Sequence, residues 1–224
     1  MSNTWYQDPQ WWAIISALIV SFVSFFKERI LNHFFKSKID VEFKILSPNC
    51  HKTILNFGPG TPKVDCYYYR LKVKSLNNIS PQKLEMTVTK KWIKNGDEFG
   101  EDKSFLPMSL VWSHYRTPIL DHIPSKLFKF CDFGYIVDPN YTKYITQQYI
   151  NPVDNGTVVL DMDLEVRPNT GSSIITPGIY RFEMTLSGQN FKEIEKIFEV
   201  NIPDYWNESE QKMLNNGLST KEIK

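Results

Sequence analysis

Glycine-rich phosphate loops, metal-type cysteine spacings and runs of one charge sign are all missing from this chain. The nearest approach to a phosphate loop, Phe57-Gly58-Pro59-Gly60, lacks the lysine and the spacing that such a loop needs. Three cysteines, Cys50, Cys66 and Cys131, are too few and odd in number for a disulfide framework. They point to free thiols in a reducing compartment, with one pair and one leftover thiol as the alternative. A net charge of +1 gives no basic excess, so nucleic acid is not an expected partner. The four histidines, His33, His51, His114 and His122, fit no zinc spacing, and adjacent Cys50-His51 is not a nucleophile–base arrangement. No catalytic, cofactor-binding or metal-binding residue is therefore expected, and the chain does not read as an enzyme.

What is present begins with an uncharged run at 11–26, WWAIISALIVSFVSFF. Sixteen helical residues extend about 24 Å, short of a bilayer core of about 30 Å. The flanks offset the shortfall: Trp11 and Trp12, with Trp5 and Tyr6, suit one interface, and Lys27 and Arg29 snorkel at the other. Asp8 and Pro9 mark the helix start. Ile30, Leu31, Phe34 and Phe35 recur at helical spacing opposite polar positions, which predicts an amphipathic extension of the helix. Residues 1–10 contain no Lys or Arg, and no small-residue cleavage pattern comes after the run, so a cleaved signal peptide is not expected. Residues 1–38 thus read as a single-pass transmembrane anchor. Basic residues appear only after the run, which places the N-terminus outside and the remainder in the cytoplasm, at a cell membrane.

From residue 39 the period changes to two. Alternation at 39–45, 64–75, 83–94, 127–137, 157–166, 178–187 and 194–202 predicts about seven strands, with an irregularity at Lys90-Lys91 and a hairpin loop at 187–193. Turn signals such as Asn95-Gly96 and Asn155-Gly156 separate them, and no strand–helix alternation occurs. The reading is mainly β: an antiparallel, immunoglobulin-like sandwich over 39–203. A short helix or long loop is expected at 139–155, and a polar, partly helical tail at 204–224 that frays at its end.

The stretches YRLKVKSLNNISPQKLEMTV, SLVWS, HIPSKLFKFCDFGYI and PGIYRFEMTL, within 64–186, resemble a set of prokaryotic membrane-anchored proteins with an immunoglobulin-like sandwich and no assigned activity. Lys74-Ser75 stands where that set has Lys-Asn. The resemblance implies fold class alone.

Two surfaces stand out. Asp161, Asp163 and Glu165 alternate along one predicted strand and read as its solvated face. The segment 105–124 is aromatic but broken by Pro107, Pro118 and Pro124, so it reads as a loop, with Trp112, His114, Tyr115 and Arg116 as a possible partner surface. The implied protein is a membrane-anchored, non-enzymatic binding or scaffold module. Its partners are the bilayer and a protein or small ligand at the sandwich loops, with homo-oligomers possible. The alternative is a membrane effector whose helices oligomerise, through Ser16, Ser21 and Ser24, and perturb the bilayer.

Overall fold

The structure, a computed structural model, describes residues 9–34, 36–56 and 60–223, with side chains for all of these except positions 9, 25 and 27–34. It divides into two compact units, Met1–Lys36 and Ser37–Lys224.

The first unit is helix α1 (Pro9–Phe34). Proline occupies its first position, where the missing N–H costs nothing, and neither Gly nor Pro interrupts the later turns. Ser16 folds its hydroxyl back onto the Trp12 carbonyl at 2.7 Å, and the Phe22 and Phe26 rings meet at 4.5 Å across one turn. Large apolar side chains stand exposed along it, Trp12 at 58%, Leu18 at 64% and Phe22 at 61% among them. The expected transmembrane span finds no support here. Among the described residues no helix is long and apolar enough to cross a membrane. The charge-free run ends at Lys27, within the same helix. Asp8, Trp5 and Tyr6 lie outside the described residues, as do the side chains of Lys27, Arg29 and the amphipathic extension.

The second unit is built of β1 (Ile39–Glu42), β2 (Cys50–Asn56), β3 (Lys63–Ser75), β4 (Gln82–Asn95), β5 (Glu98–Glu101), β6 (Met108–Ser109) and β7 (Val111–Trp112). Next in the chain are β8 (Ile119–His122), β9 (Phe128–Val137), α2 (Thr142–Thr146), β10 (Leu160–Met162), β11 (Ile174–Ile175), β12 (Gly178–Gln189), β13 (Ile194–Ile202), α3 (Glu210–Asn216) and β14 (Ser219–Ile223). They form two antiparallel seven-stranded sheets. The first runs β1-β3-β9-β10-β11, with β2 also on β3 and β7 on β9; the second runs β14-β13-β12-β4-β5, with β6 and β8 on β4. All seven expected runs contain strands, and β12–β13 is the expected hairpin. The described residues hold seven further short strands that carry too little alternation to be seen in sequence.

The core lies between the sheets because alternate residues of each long strand point inward. Tyr67, Tyr69, Leu71 and Val73 of β3 face Met86 and Val88 of β4 and Phe182 and Met184 of β12. Phe133 bridges the layers, 4.9 Å from Phe43 and 5.4 Å from Phe182, ring to ring. Each such side chain contributes about 1.5–3 kcal/mol on burial. Strand β9 is buried continuously from Cys131 to Val137 because both faces are covered. Its inner face meets the core, and its outer face, with Val64 and Cys66, meets Ile145 of α2.

Three local expectations change. The segment 105–124 is a crossing rather than a plain loop: β6 lies on the second sheet, β7 on the first, and β8 returns to the second. The tail does not fray but docks, with Met213 and Leu218 buried, Trp206 against Tyr67 at 4.7 Å and β14 paired to β13. The β4 irregularity falls at Thr89, one residue before the expected place.

Candidate functional site: a polar cleft over the first sheet

Cross-strand pairing places His51 beside Tyr68, Tyr68 beside Tyr135, and Tyr135 beside Asp161. Residues paired across strands share a face, so the four form one row on the outer side of the first sheet. Tyr68 and Tyr135 stack at 5.6 Å. Gly134 lets β10 come close, since a Cβ there would lie 2.4 Å from the Asp161 carbonyl oxygen.

Around this row sits a network of buried carboxylates. Asp161 accepts hydrogen bonds from the Tyr135 hydroxyl at 2.7 Å, from Tyr149 at 3.3 Å and from Arg167 Nη1 at 2.9 Å. Arg167 Nη2 also donates to the Tyr135 hydroxyl at 2.9 Å. Asp163 accepts Nη2 of Arg116 at 2.9 Å, a second bond from Nη1, and a short bond from the Tyr68 hydroxyl. Asp132 accepts the Ser113 hydroxyl. Asp161 and Asp163 are fully buried, which corrects the expectation of a solvated acidic face; Glu165 is exposed. Strand β10 is short and flanked by covering segments, so all three of its residues are inside.

Arg116 reaches Asp163 from a tight turn. The Trp112 carbonyl accepts the N–H groups of Tyr115 and Arg116, and His114 and Arg116 both take positive φ, +69° and +56°. Non-glycine residues in that region persist only where surroundings hold them, here through the bidentate ion pair. Trp112 is corrected from surface to core: it is fully buried, and its indole N–H is shared between the carbonyls of Leu84 and Pro118. His114 and Tyr115 are exposed, and Lys129 donates to the Tyr115 hydroxyl at 3.0 Å.

Burial pushes the Asp132 and Asp161 carboxyls up to about 6, against the lowering pull of Ser113 on the first and Arg167 on the second. Burial also raises the Tyr68 and Tyr135 hydroxyls, so both remain donors. The thiols of Cys50 and Cys66 are pushed up to about 12 by burial, and Cys131 rises too, so none is a ready thiolate. All three are free and buried. Burial, then Arg70, lowers the His51 imidazole. Among the described residues no three His, Cys, Asp or Glu converge to hold a metal ion.

The network opens into a cleft of about 350 Å³ whose walls include Tyr68, Tyr144, Gln147, Gln148 and the two arginines. It offers guanidinium and amide donors above a floor of occupied carboxylates, which suits binding of a polar ligand rich in acceptors. A larger groove of about 810 Å³ lies at Leu106, Met108 and Val166, where Leu106 and Val166 are 72% and 75% exposed. Sequence reasoning found Arg116 and missed Tyr68, Tyr135, Tyr149 and Arg167. The available signal was the Asp-x-Asp alternation at 161–163 with the odd-face tyrosine of YYY at 67–69. The chain matches no family model, no curated protein and no solved structure.

Proposed function

We propose that this protein is a membrane-attached, non-enzymatic binding module, its sandwich immunoglobulin-like in kind. One observation carries the reading: the large apolar side chains of α1, Trp11, Trp12, Leu18, Ile19, Val20 and Phe22 among them, are exposed. Exposed apolar area of that extent marks a surface that is covered in use. Its residues are unbroken by charge from 11 to 26, which favours lipid over a protein groove. The run is shorter than a regular span, and bilayer thinning with tryptophans at one end and snorkelling Lys27 and Arg29 at the other makes up the difference. The basic residues after the run favour a cytoplasmic sandwich. Its polar cleft then presents a ligand site at the membrane face, where attachment raises local concentration.

The test is flotation of the full chain with lipid vesicles in the absence of detergent, and then an alkaline wash. Co-flotation that survives the wash is expected. A chain that stays at the bottom of the gradient as a soluble monomer overturns the proposal. The effector reading, in which helices associate and perturb the bilayer, predicts in addition that those vesicles leak.

A further inference from the structure

The chain enters the sandwich at one pole. There Ser37 donates its N–H to the Asn190 carbonyl at 2.8 Å and its hydroxyl to the Ile79 carbonyl at 2.7 Å. The Leu76 N–H reaches the Lys38 carbonyl, the Ser75 N–H reaches the Leu127 carbonyl, and Asn190 Nδ2 donates to Ser80. These bonds tie four segments into one surface: 37–38, 74–83, 121–129 and 187–193. Together they hold six lysines and two carboxylates, in a chain whose total net charge is only +1. One of those carboxylates, Asp121, is taken up by Lys83 at 2.6 Å. Among the described residues no carboxylate pairs with Lys38, Lys74 or Lys126, all of them exposed. Between these lysines stand Leu76, Leu127 and Phe128, each 42% exposed or more. Exposed aliphatic and aromatic groups ringed by unpaired lysines are complementary to an anionic interface, where lysine meets headgroups and the apolar tips enter below them.

We propose that this pole is a second membrane-contact surface, specific for anionic lipid. The inference rests on the membrane attachment proposed above. Ser37, where the second unit begins, belongs to this pole, and the far end of β4 does not. Contact here orients the sandwich and fixes how far the polar cleft stands from the bilayer.

The test uses the full chain in vesicles. A fluorophore is placed on Ser125→Cys at the pole, or on Asp97→Cys at the far end of β4, roughly 40 Å away along the strand. The native cysteines are buried, so the label goes to the introduced thiol. Lipid-borne quenchers report contact. Quenching at 125 and not at 97 is expected with anionic vesicles, together with its loss in zwitterionic vesicles. Replacing Lys38, Lys74 and Lys126 by Gln weakens the contact about 100-fold. Floating protein with an unquenched probe at 125, or quenching indifferent to lipid charge and to the lysines, overturns this inference and leaves attachment by α1 standing. Failure to float overturns both.

Discussion

Gly134→Ala is a small change at the point where the fold makes the cleft. The added methyl would lie 2.4 Å from the Asp161 carbonyl oxygen and 3.0 Å from the Met162 Cα. An ordinary C···O contact starts near 3.3 Å, so β9 and β10 must part by roughly 0.9 Å. Neither neighbour is a flexible side-chain end, so rotation gives no relief. Overpacking of this kind costs about 1–3 kcal/mol. Strand β10 pairs with β9 through three residues only, and losing one or two of those ladder bonds adds about 1 kcal/mol each. The combined loss is about 2–5 kcal/mol, equivalent to a fall in Tm of about 4–20 °C for a unit of this size. The assay is urea and thermal unfolding of the full chain in mild detergent, read by tryptophan fluorescence. Gly100→Ala is the control, because its methyl would meet only Asn95 Nδ2 at 3.8 Å, and it is expected to stay within about 0.5 kcal/mol of the parent. A Gly134→Ala protein within 1 kcal/mol of the parent, or a control equally damaged, would refute the close approach of these strands.

Other consequences are as open to measurement. Trp112→Ala removes a fully buried indole and should cost about 3–5 kcal/mol, whereas exposed Tyr115→Ala should cost under about 0.5 kcal/mol in the same unfolding assay. Asp132 and Asp161 rise from an ordinary 3.8 to about 6 in the fold, so the folded state holds the extra protons. Their contribution is therefore full below pH 4 and is lost as pH climbs to 6, up to about 3 kcal/mol each. The slope of stability against pH between 4 and 6 should be negative and should flatten in Asp132→Asn and Asp161→Asn. Arg116→Ala leaves buried Asp163 with only Tyr68 and a distant Arg167, and should cost about 3 kcal/mol, more than Asp163→Asn with Arg116→Met combined. Thiol titration of the native chain should find no reactive cysteine, and three after denaturation.

The long strands were legible because each buries one face on the core and alternates in consequence, as Tyr67 to Val73 and Tyr180 to Leu186 do. Strand β9 was legible as apolar, but not as doubly covered, since nothing local announces that the 138–155 segment folds over Cys66 and Val137. The short strands β6, β7 and β8 take their pairing from the two sheets they cross between, a tertiary cause with no local signature. The docking of the tail is hidden for a related reason: its anchors Met213 and Leu218, and its pairing with β13, answer to neighbours and not to a local pattern. Asp161 and Asp163 were placed in solvent because alternation gives the face of a carboxylate and not what covers it. Arg116 was found as an aromatic-loop residue, but its partner, 47 positions away, was invisible.

The central claim is that the apolar stretch of α1 belongs in lipid. Replacing Leu18 and Phe22 together by arginine should cost about 5–7 kcal/mol at bilayer depth. Flotation of that full-length variant with neutral vesicles should drop to background while its sandwich unfolds at the parent temperature. A variant that floats as well as the parent would contradict the account.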